Sequence, residues 1–359
     1  MRQTHLSSTA KRNKILIFTP GGVGGAERMS VLIGKLLSKD KYEVKYVVLG
    51  RGCEIYDIIP EGYEVDTIPV HNIYCFSTLR IWWKIMQEKP DFVFVSQVSY
   101  NPRVILAAKL AGRKVVIRSS GMLSDYTGAK LRNVKWTYPM ADKIIAQQEE
   151  MQEDIIRVLN ANPNKVKTIH NPLDTANIDI LSKASSPYTT ECSVNFVQSA
   201  SVNRRKAQDV SIQALAIVRQ KIPDAHLYII GRYKKEDDYY QKLVKQVDTL
   251  NLNGFVHFVG YDNNPFRWIK NADCFVFPSR AEGLPNALIE ASYLGIPCVA
   301  TRCLNIINEI IKIGQNGYIV EVDDVNGFAL AMIRAVKLSY CKMIYKPGTK
   351  EEIQHLFDL

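Results

Sequence analysis

Short apolar runs alternate with amphipathic stretches along most of the chain. KILIF at 14–18 is the first such run, and AERMSVLIGKLL at 26–37 follows it with its apolar residues on one helical face. The same order recurs, with strands predicted at 42–49, 91–97, 114–119, 142–147, 194–198, 226–230, 255–259, 274–278, 297–301 and 318–322, and helices at 101–111, 148–159, 207–221, 236–250, 285–294 and 325–338. This alternation is typical of parallel sheets covered by helices.

One polar stretch, LSKASSPYTTECS at 181–193, interrupts the pattern and reads as a linker. A chain of 359 residues is also too long for one comfortable core. We therefore predict an α/β protein with two doubly wound, Rossmann-like domains facing across a cleft. The predicted bounds are 1–185 for the N-terminal domain, 186–345 for the C-terminal domain and 346–359 for a tail. Ligands are expected at the carboxyl ends of the strands and in the cleft.

Composition narrows the class of protein. Apolar residues make up 47% and charged residues 23%, as in ordinary globular proteins. The sequence contains no run of about 18 apolar residues, so no membrane-spanning helix is predicted. The polar, basic N-terminus does not resemble a secretory signal. The seven cysteines are odd in number and show no CxxC spacing, which favours reduced thiols in a cytoplasmic protein over disulfides or a zinc site.

The net charge of +10 is concentrated in the first half: residues 1–170 carry 25 Lys and Arg against 16 Asp and Glu. Such an excess indicates an anionic partner, although a merely basic, hydrated surface would give the same count. Residues 71–145 hold 12 of these bases and only four acids, interleaved with aromatic residues in LRIWWKIMQ (79–87) and KLRNVKWTYPM (130–140).

Bases beside aromatic residues suit a membrane interface with anionic headgroups. We expect contacts with the inner face of the cytoplasmic membrane or with an acceptor from one group of residues: Arg80, Trp82, Trp83, Lys84, Arg118, Lys130 and Arg132. The alternative is that Trp82, Ile85 and Met86 face the core and only the bases are exposed. Nucleic acid fits less well, because no reading motif is present.

The stretch SRAEGLPNALIEASYLGIP at 279–297 carries the clearest chemistry. Pro285 suits the first turn of a helix, whose amino end would offer the N–H groups of Leu284, Asn286 and Ala287 to a phosphate. Glu282 and Glu290 bracket that end, and carboxylates accept hydrogen bonds from hydroxyls rather than holding phosphate. A nucleotide sugar has this layout of sugar, diphosphate and ribose. The alternative is that both acids merely favour the helix dipole or water.

Two other segments carry charge or glycine. RRKAQD at 204–209 offers three cations, which could equally be a hydrated basic loop. GGVGG at 21–25 follows the first strand but lacks GxGxxG spacing. After the second predicted strand come Gly50 and Arg51, where a dinucleotide-binding protein has an acidic residue that binds the ribose. A dehydrogenase is therefore improbable.

Taken in order, these motifs resemble the retaining GT-B glycosyltransferases of the large family 4, or group 1. The resemblance covers most of 14–340 and is strongest at 222–322, in PDAHLYIIGRY, VHFVGYDNNPFRWIKNADCFVFPS, GIPCVATRC and GQNGYIVEVDD. It implies that Glu282 contacts the donor sugar, Glu290 the ribose hydroxyls and Lys206 the diphosphate. It further implies donor contacts from Gly24 and Gly25. Donor contacts from Gly283, Leu284 and Asn286 are expected because these residues lie at the amino end of the predicted helix.

The sequence departs from the family at two places. Ala200-Ser201-Val202 stands where Gly-Arg-Leu is usual, so Arg204 or Arg205 would have to replace the missing diphosphate arginine. Ser120 precedes Gly121 where the family often has histidine, with Arg118 the nearest cation. The family uses no metal, and no Asp-x-Asp occurs here.

The resemblance implies a hexosyl- or N-acetylhexosaminyltransferase that uses a UDP- or GDP-sugar and a lipid-linked glycan acceptor in surface polysaccharide synthesis. A UDP-sugar epimerase of the same fold and a non-catalytic sugar- or lipid-binding homologue are the alternatives. A purely structural subunit is disfavoured by the intact glutamate pair.

Overall fold

The computed structural model describes residues 12–358 except 23, 51–53, 71–73, 189–192, 340 and 342. The chain forms two compact units, Met1–Pro172 with Pro347–Leu359 and Leu173–Lys346. The change of unit thus comes thirteen residues before the predicted boundary at 185/186. Residues 173–185 lie in the second unit because Ile178 packs into its core and Tyr188 donates a hydrogen bond to the Trp268 carbonyl at 2.7 Å.

The first unit is built on a seven-stranded parallel sheet of order β3-β2-β1-β4-β5-β6-β7. Its strands are β1 (Asn13–Pro20), β2 (Tyr42–Leu49), β3 (Glu64–Ile68), β4 (Phe92–Val95), β5 (Lys114–Arg118), β6 (Lys143–Ala146) and β7 (Val166–Thr168). Its helices before the crossover are α1 (Gly25–Leu36), α2 (Tyr74–Glu88), α3 (Asn101–Leu110), α4 (Gly128–Thr137) and α5 (Glu149–Leu159).

Helices cover both faces of this sheet. Side chains of α2, α3, α4 and α5 share one apolar core with one face, and side chains of α1 share another core with the opposite face. Central strands such as β4, FVFV, are apolar throughout because they are buried on both sides.

The second unit repeats this plan with six parallel strands in the order β10-β9-β8-β11-β12-β13. The strands are β8 (Val194–Ser199), β9 (Ala225–Ile230), β10 (Val256–Gly260), β11 (Cys274–Phe277), β12 (Cys298–Thr301) and β13 (Gly317–Val320). The helices are α6 (Thr175–Leu181), α7 (Gln208–Val218), α8 (Asp238–Thr249), α9 (Pro265–Lys270), α10 (Asn286–Tyr293), α11 (Ile307–Ile310) and α12 (Val325–Ala335).

The order of strands reverses beside β8 in this sheet, as it does beside β1 in the first. Helices α6, α9, α10 and α11 cover one face, and α7, α8 and α12 cover the other. Chains leaving β8 and β11 therefore turn to opposite faces and open a crevice at the carboxyl edge, which is the usual ligand site of such sheets.

The last helix, α13 (Lys350–His355), returns to the first unit. Ile353, Leu356 and Phe357 are buried in the α1 face of the first sheet, and the Phe357 ring meets that of Phe92 edge-on at 5.6 Å between centroids. The predicted tail is thus part of the first core. The prediction of two doubly wound α/β domains is confirmed.

Four cysteines have described side chains, and all four are free thiols: Cys274, Cys298, Cys303 and Cys341. Cys274 and Cys298 lie in the central strands of the second sheet, and burial raises their pKa values. Cys53 and Cys192 fall outside the described residues.

Candidate active site

A short 3₁₀ turn, Arg204–Lys206, follows β8 at the switch point of the second sheet. The Asn203 side chain begins the turn by accepting a hydrogen bond from the Lys206 N–H at 3.3 Å. Ala207 ends it with φ of 52°, a left-handed conformation that costs a residue with a side chain about 1 kcal/mol. Strain of this kind tends to occur at functional sites.

The neighbouring loop, which follows β11, brings Glu282 to this turn. Lys206 Nζ contacts Glu282 Oε1, and the same oxygen accepts a hydrogen bond from Ser279 Oγ at 2.7 Å. The Glu282 side chain is only 5% exposed and that of Lys206 17% exposed, so water screens the pair weakly. The structure therefore brings together the two residues that the sequence predicts to be catalytic.

The structure distinguishes Arg205 from Arg204. Arg205 Nη1 lies 3.8 Å from Glu282 Oε2. The Arg204 guanidinium instead lies over the ring of Tyr239, 5.9 Å from its centroid. Arg205 is thus the cation of the turn that joins Lys206 beside Glu282.

The loop leads into α10, as predicted, but its amino end differs in detail. Pro285 is the N-cap residue, and Asn286 N–H donates to the Leu284 carbonyl at 3.0 Å. The prediction of a free N–H at Asn286 was therefore wrong, because the chain tightens before the helix begins. The Leu284 side chain is buried in the core beneath α10, so only its backbone can face a ligand.

Glu290 lies in the middle of α10 and is half-buried. Gly283 and Glu290 have the predicted positions on the loop and the helix. Their contacts with a donor remain predictions.

At the switch point of the first unit, Gly24 is the N-cap residue of α1 and Gly25 is its first residue. A Cβ atom at Gly24 would lie 2.6 Å from Glu27 Oε2, so a side chain there would displace Glu27. Glu27 is 8% exposed, and Gln97 Nε2 approaches its Oε1 at 3.5 Å from the loop after β4. The predicted donor contacts of Gly24 and Gly25 remain predictions.

The predicted acceptor and membrane residues fall into three groups. On α2, Trp83 is 67% exposed, while Trp82 packs against the core and Ile85 is fully buried. The alternative of a core-facing helix therefore holds for Trp82 and Ile85 but is wrong for Met86, which is 41% exposed. Arg80 is exposed and donates to the Pro69 carbonyl at 2.9 Å.

The expectation of an available cation at Lys84 is corrected by the structure. Its ammonium contacts Asp66 and lies 2.8 Å from Glu88, and its side chain is 17% exposed. These carboxylates belong to a network with Lys14 and Lys45 that ties α2 to β1, β2 and β3.

Arg118 is also buried, with 3% exposure. Its guanidinium donates to Ser96 Oγ at 3.0 Å and to the Asn171 side-chain oxygen, and burial lowers its pKa. A surface role in membrane binding is therefore excluded for Arg118.

On α4 the bases are open to water. Lys130, Arg132 and Lys135 are exposed, and Trp136 on the same helix is 65% exposed. Lys130 Nζ lies 3.5 Å from the centroid of the Tyr126 ring. The contact of Lys130 and Arg132 with a membrane or an acceptor stays a prediction.

Within the described residues, no cluster of three or more His, Cys, Asp or Glu side chains has the arrangement of a metal site. A search of the same residues for a helix both long and apolar enough to cross a membrane found none.

Comparison with known proteins identifies the family. A model of glycosyl transferases group 1 matches residues 193–337, and a model of glycosyltransferase family 4 matches residues 23–177. A glycosyltransferase of Methanocaldococcus jannaschii is 32% identical over 80% of this chain and 68% of its own. The chain belongs to the glycosyltransferases that these two models describe, group 1 and family 4.

Other relatives of this glycosyltransferase have more specific names. An N-acetylgalactosamine-N,N'-diacetylbacillosaminyl-diphospho-undecaprenol 4-alpha-N-acetylgalactosaminyltransferase of Campylobacter jejuni is 25% identical over 92% of the chain and 91% of that protein. A UDP-Gal:alpha-D-GlcNAc-diphosphoundecaprenol alpha-1,3-galactosyltransferase of Escherichia coli is 23% identical over 87% and 84%.

Solved structures confirm the GT-B fold of this glycosyltransferase. HepE of Anabaena, in complex with UDP and glucose, has a TM-score of 0.76 at 19% identity and covers 97% of this chain and 95% of its own. A glycosyltransferase from Rickettsia africae has a TM-score of 0.77 at 14% identity, with coverage of 97% and 94%. At these identities the likeness concerns the fold.

Sequence reasoning missed three residues that shape the site of this glycosyltransferase: Ser279, Asp209 and Arg280. Arg280 pairs with Asp209 and Asp323 and also donates to the carbonyl of Arg204. The only signal was the position of Arg280 two residues before Glu282, because its partners are 71 and 43 residues away in the chain.

Proposed function

We propose that the chain is a retaining, metal-independent glycosyltransferase. It would move a hexose or N-acetylhexosamine from a UDP- or GDP-sugar to a hydroxyl of a lipid-linked glycan, in surface polysaccharide synthesis. The observation that carries the proposal is the contact between Lys206 and Glu282 at the switch point of the second sheet. One ligand at that position would meet a cation for phosphate and a carboxylate for hydroxyls.

The leaving diphosphate needs positive charge, and the turn after β8 can supply it. Lys206 and Arg205 carry two positive charges against the single negative charge of Glu282. Because Glu282 and Ser279 hold each other, Lys206 is fixed in place before a donor arrives. Preorganised charge of this kind stabilises a transition state without reorganisation.

The flanking carboxylates suit the two sugars of the donor. Glu282 would contact the transferred sugar and stabilise the positive charge that develops on it. Glu290, on α10, would accept hydrogen bonds from the ribose hydroxyls, as carboxylates do. In this assignment α10 lies between the sugar and the nucleoside.

Metal independence is part of the proposal because the chain offers another source of positive charge. Lys206, Arg205 and the amino end of α10 would stabilise the charge that magnesium neutralises in other phosphate-transfer sites. No residue is assigned to a metal.

For the chemical step, the bond from the anomeric carbon to the leaving phosphate oxygen breaks. The acceptor hydroxyl forms the new bond on the same face and gives its proton to the leaving phosphate. No protein base is assigned. The alpha linkages in the names of the Campylobacter and Escherichia relatives support retention, since common UDP-hexose donors are alpha anomers.

The names of the same two relatives support a diphosphoundecaprenol-linked acceptor. An enzyme that acts on such a lipid works at a membrane surface, and α4 presents three bases and Trp136 to the outside. On α2, Phe76, Leu79 and Trp83 add exposed apolar surface. We place the protein at the inner face of the cytoplasmic membrane as a peripheral protein.

The test begins with a thermal-shift screen of UDP- and GDP-sugars against the full chain. Stabilising donors are then incubated with diphosphate-lipid-linked sugars, with and without EDTA, and the product is analysed by mass spectrometry and NMR of the new anomeric centre. Lys206→Ala serves as the impaired variant, and Lys242→Ala, on the exposed face of α8, is the matched control.

An alpha-linked product that forms equally with EDTA supports the proposal. Conversion of the donor into its epimer without acceptor would show an epimerase. Binding of a donor without turnover would show a non-catalytic homologue, and loss of activity in EDTA would overturn metal independence.

A further inference from the structure

Arg280 joins the two loops that meet at the candidate site. Its backbone N–H donates to the Arg205 carbonyl at 2.8 Å, and its Nη1 donates to the Arg204 carbonyl at 2.7 Å. Both bonds end on the turn that carries the two cations. Arg280 is also only two residues before Glu282, so the backbone on either side of the Lys206–Glu282 contact is held by one residue.

The rest of the Arg280 guanidinium is held by two carboxylates. Nη1 and Nη2 bind Asp209 at 3.1 and 2.7 Å, and Nε binds Asp323 at 2.7 Å. These hydrogen bonds raise the pKa of Arg280. Asp209 is fixed in turn by the Tyr239 hydroxyl, which donates to it at 2.6 Å.

This arrangement needs a guanidinium. Asp209 lies in the first turn of α7, Asp323 follows β13, and the Arg204 carbonyl lies in the 3₁₀ turn, so the partners come from three separate segments. A planar fork with five donors reaches all three at fixed angles, whereas a lysine ammonium is a point charge with three donors. If Arg280 formed only a simple ion pair, a lysine at this position could replace it.

We propose that Arg280 is a positioning residue that fixes the Arg205–Lys206 turn against the Glu282 loop, so that both cations meet the donor diphosphate in one geometry. The inference rests on the proposed function of this site. Arg280 touches no reacting atom, and it acts through Arg205 and Lys206.

The test compares Arg280→Lys and Arg280→Ala with Arg302→Lys and Arg302→Ala. Arg302 is the matched control, because it follows the next strand and its side chain binds Glu321 at 3.0 Å and Asn308, neither of which belongs to the turn. The readouts are kcat and KM for transfer, the Kd for UDP by calorimetry, and the thermal midpoint.

For Arg280→Lys we expect kcat/KM to fall about ten- to a hundredfold and UDP to bind more weakly, because small misplacements of positioned groups have effects of this size. The thermal midpoint should stay close to that of the wild type. Methylguanidinium should restore part of the activity of Arg280→Ala but none of that of Lys206→Ala. The Arg302 variants should change neither kcat/KM nor UDP binding.

The inference is overturned if Arg280→Lys keeps wild-type kcat/KM and UDP affinity. It is also overturned if the loss of kcat/KM in the Arg280 variants follows the fall in their thermal midpoint and methylguanidinium restores no activity to Arg280→Ala. Failure of the proposed function gives a different result, since the wild type itself would then transfer no sugar. In that case UDP affinity alone decides whether Arg280 positions the turn, and a wild type that binds no UDP overturns both.

Discussion

The turn after β8 and the helix α4 are both basic, but they hold their charge differently. In the turn, Lys206 is mostly buried against Glu282, and Arg205 lies beside the same carboxylate. On α4, Lys130, Arg132 and Lys135 are open to water. A fixed cation suits one ligand in one geometry, whereas exposed surface cations suit a diffuse anionic surface. This difference is the one expected if the first region has the proposed chemical role and the second the proposed docking role.

The strongest way to break this distinction is Lys206→Ala. If the fixed cation stabilises the leaving diphosphate, its removal should lower kcat by a hundredfold or more, about 2.7–4 kcal/mol, as for other preorganised donors. Steady-state transfer assays at saturating donor measure this. Lys242→Ala should retain wild-type kcat, and a Lys206→Ala rate near that of the wild type would remove Lys206 from the chemistry.

The docking role of α4 is tested by replacing Lys130, Arg132 and Lys135 together with Gln. Each base near an anionic bilayer is worth about 1 kcal/mol, so binding to vesicles rich in anionic lipid should weaken about a hundredfold. Sedimentation with anionic and neutral vesicles at two salt concentrations measures this, because screening should weaken the wild type in the same direction.

The matched control replaces Lys221, Lys242 and Lys245 of the second unit with Gln, which removes the same charge. If both triple variants lose binding equally, net charge rather than α4 is responsible. If neither does, the membrane assignment of α4 is wrong.

The sequence predicted the second unit better than the first for a physical reason. In the second unit β9, β11 and β12 are buried along their whole length, and Lys206 and Glu282 lie in the segments that follow β8 and β11. Eleven of the thirteen described strands follow from apolar runs, and the start of α10 follows from Pro285. Strand β3, EVDTI, was missed because an edge strand carries polar residues, and β7 because it has only three residues.

The limits of sequence reasoning are clearest for charged residues. Lys84 and Lys130 look alike beside aromatic residues, but Lys84 pairs with Asp66 and Glu88 whereas Lys130 lies over Tyr126. Arg118 is buried at the end of β5, a depth that its neighbours in sequence do not reveal. Such pairings join residues far apart in the chain, so local composition cannot supply them.

A smaller effect separates the two arginines of the turn. Arg205→Ala should lower kcat/KM about tenfold, because it removes a cation near Glu282 without disturbing Lys206. Arg204→Ala should change it by less than about twofold, since its guanidinium faces Tyr239 and its carbonyl, which Arg280 binds, is retained. Steady-state kinetics with varied donor distinguishes them, and a larger loss for Arg204→Ala would reverse the assignment.

The smallest expected effect concerns α2, whose charges are paired rather than free. Burial alone would raise the pKa of Glu88, but hydrogen bonds from Lys14, Lys84 and Lys45 lower it to about 2 from its usual value of 4.5. The stabilisation is therefore complete above pH 4.5 and is lost as the pH falls towards 2. Glu88→Gln should lower the free energy of unfolding at pH 7 by only on the order of 1 kcal/mol, because water screens the pairs.

Urea unfolding of the wild type, Glu88→Gln and Glu61→Gln at pH 7, 4.5 and 3 measures this effect. The difference in free energy of unfolding between the wild type and Glu88→Gln should narrow as the pH falls. Glu61→Gln, in an exposed turn before β3, should have the same free energy of unfolding as the wild type at pH 7. Vesicle binding should be unchanged in Glu88→Gln if α4 and not the α2 charge network meets the membrane. A constant gap at all three pH values would show that the Glu88 network does not anchor α2 through its ionised form.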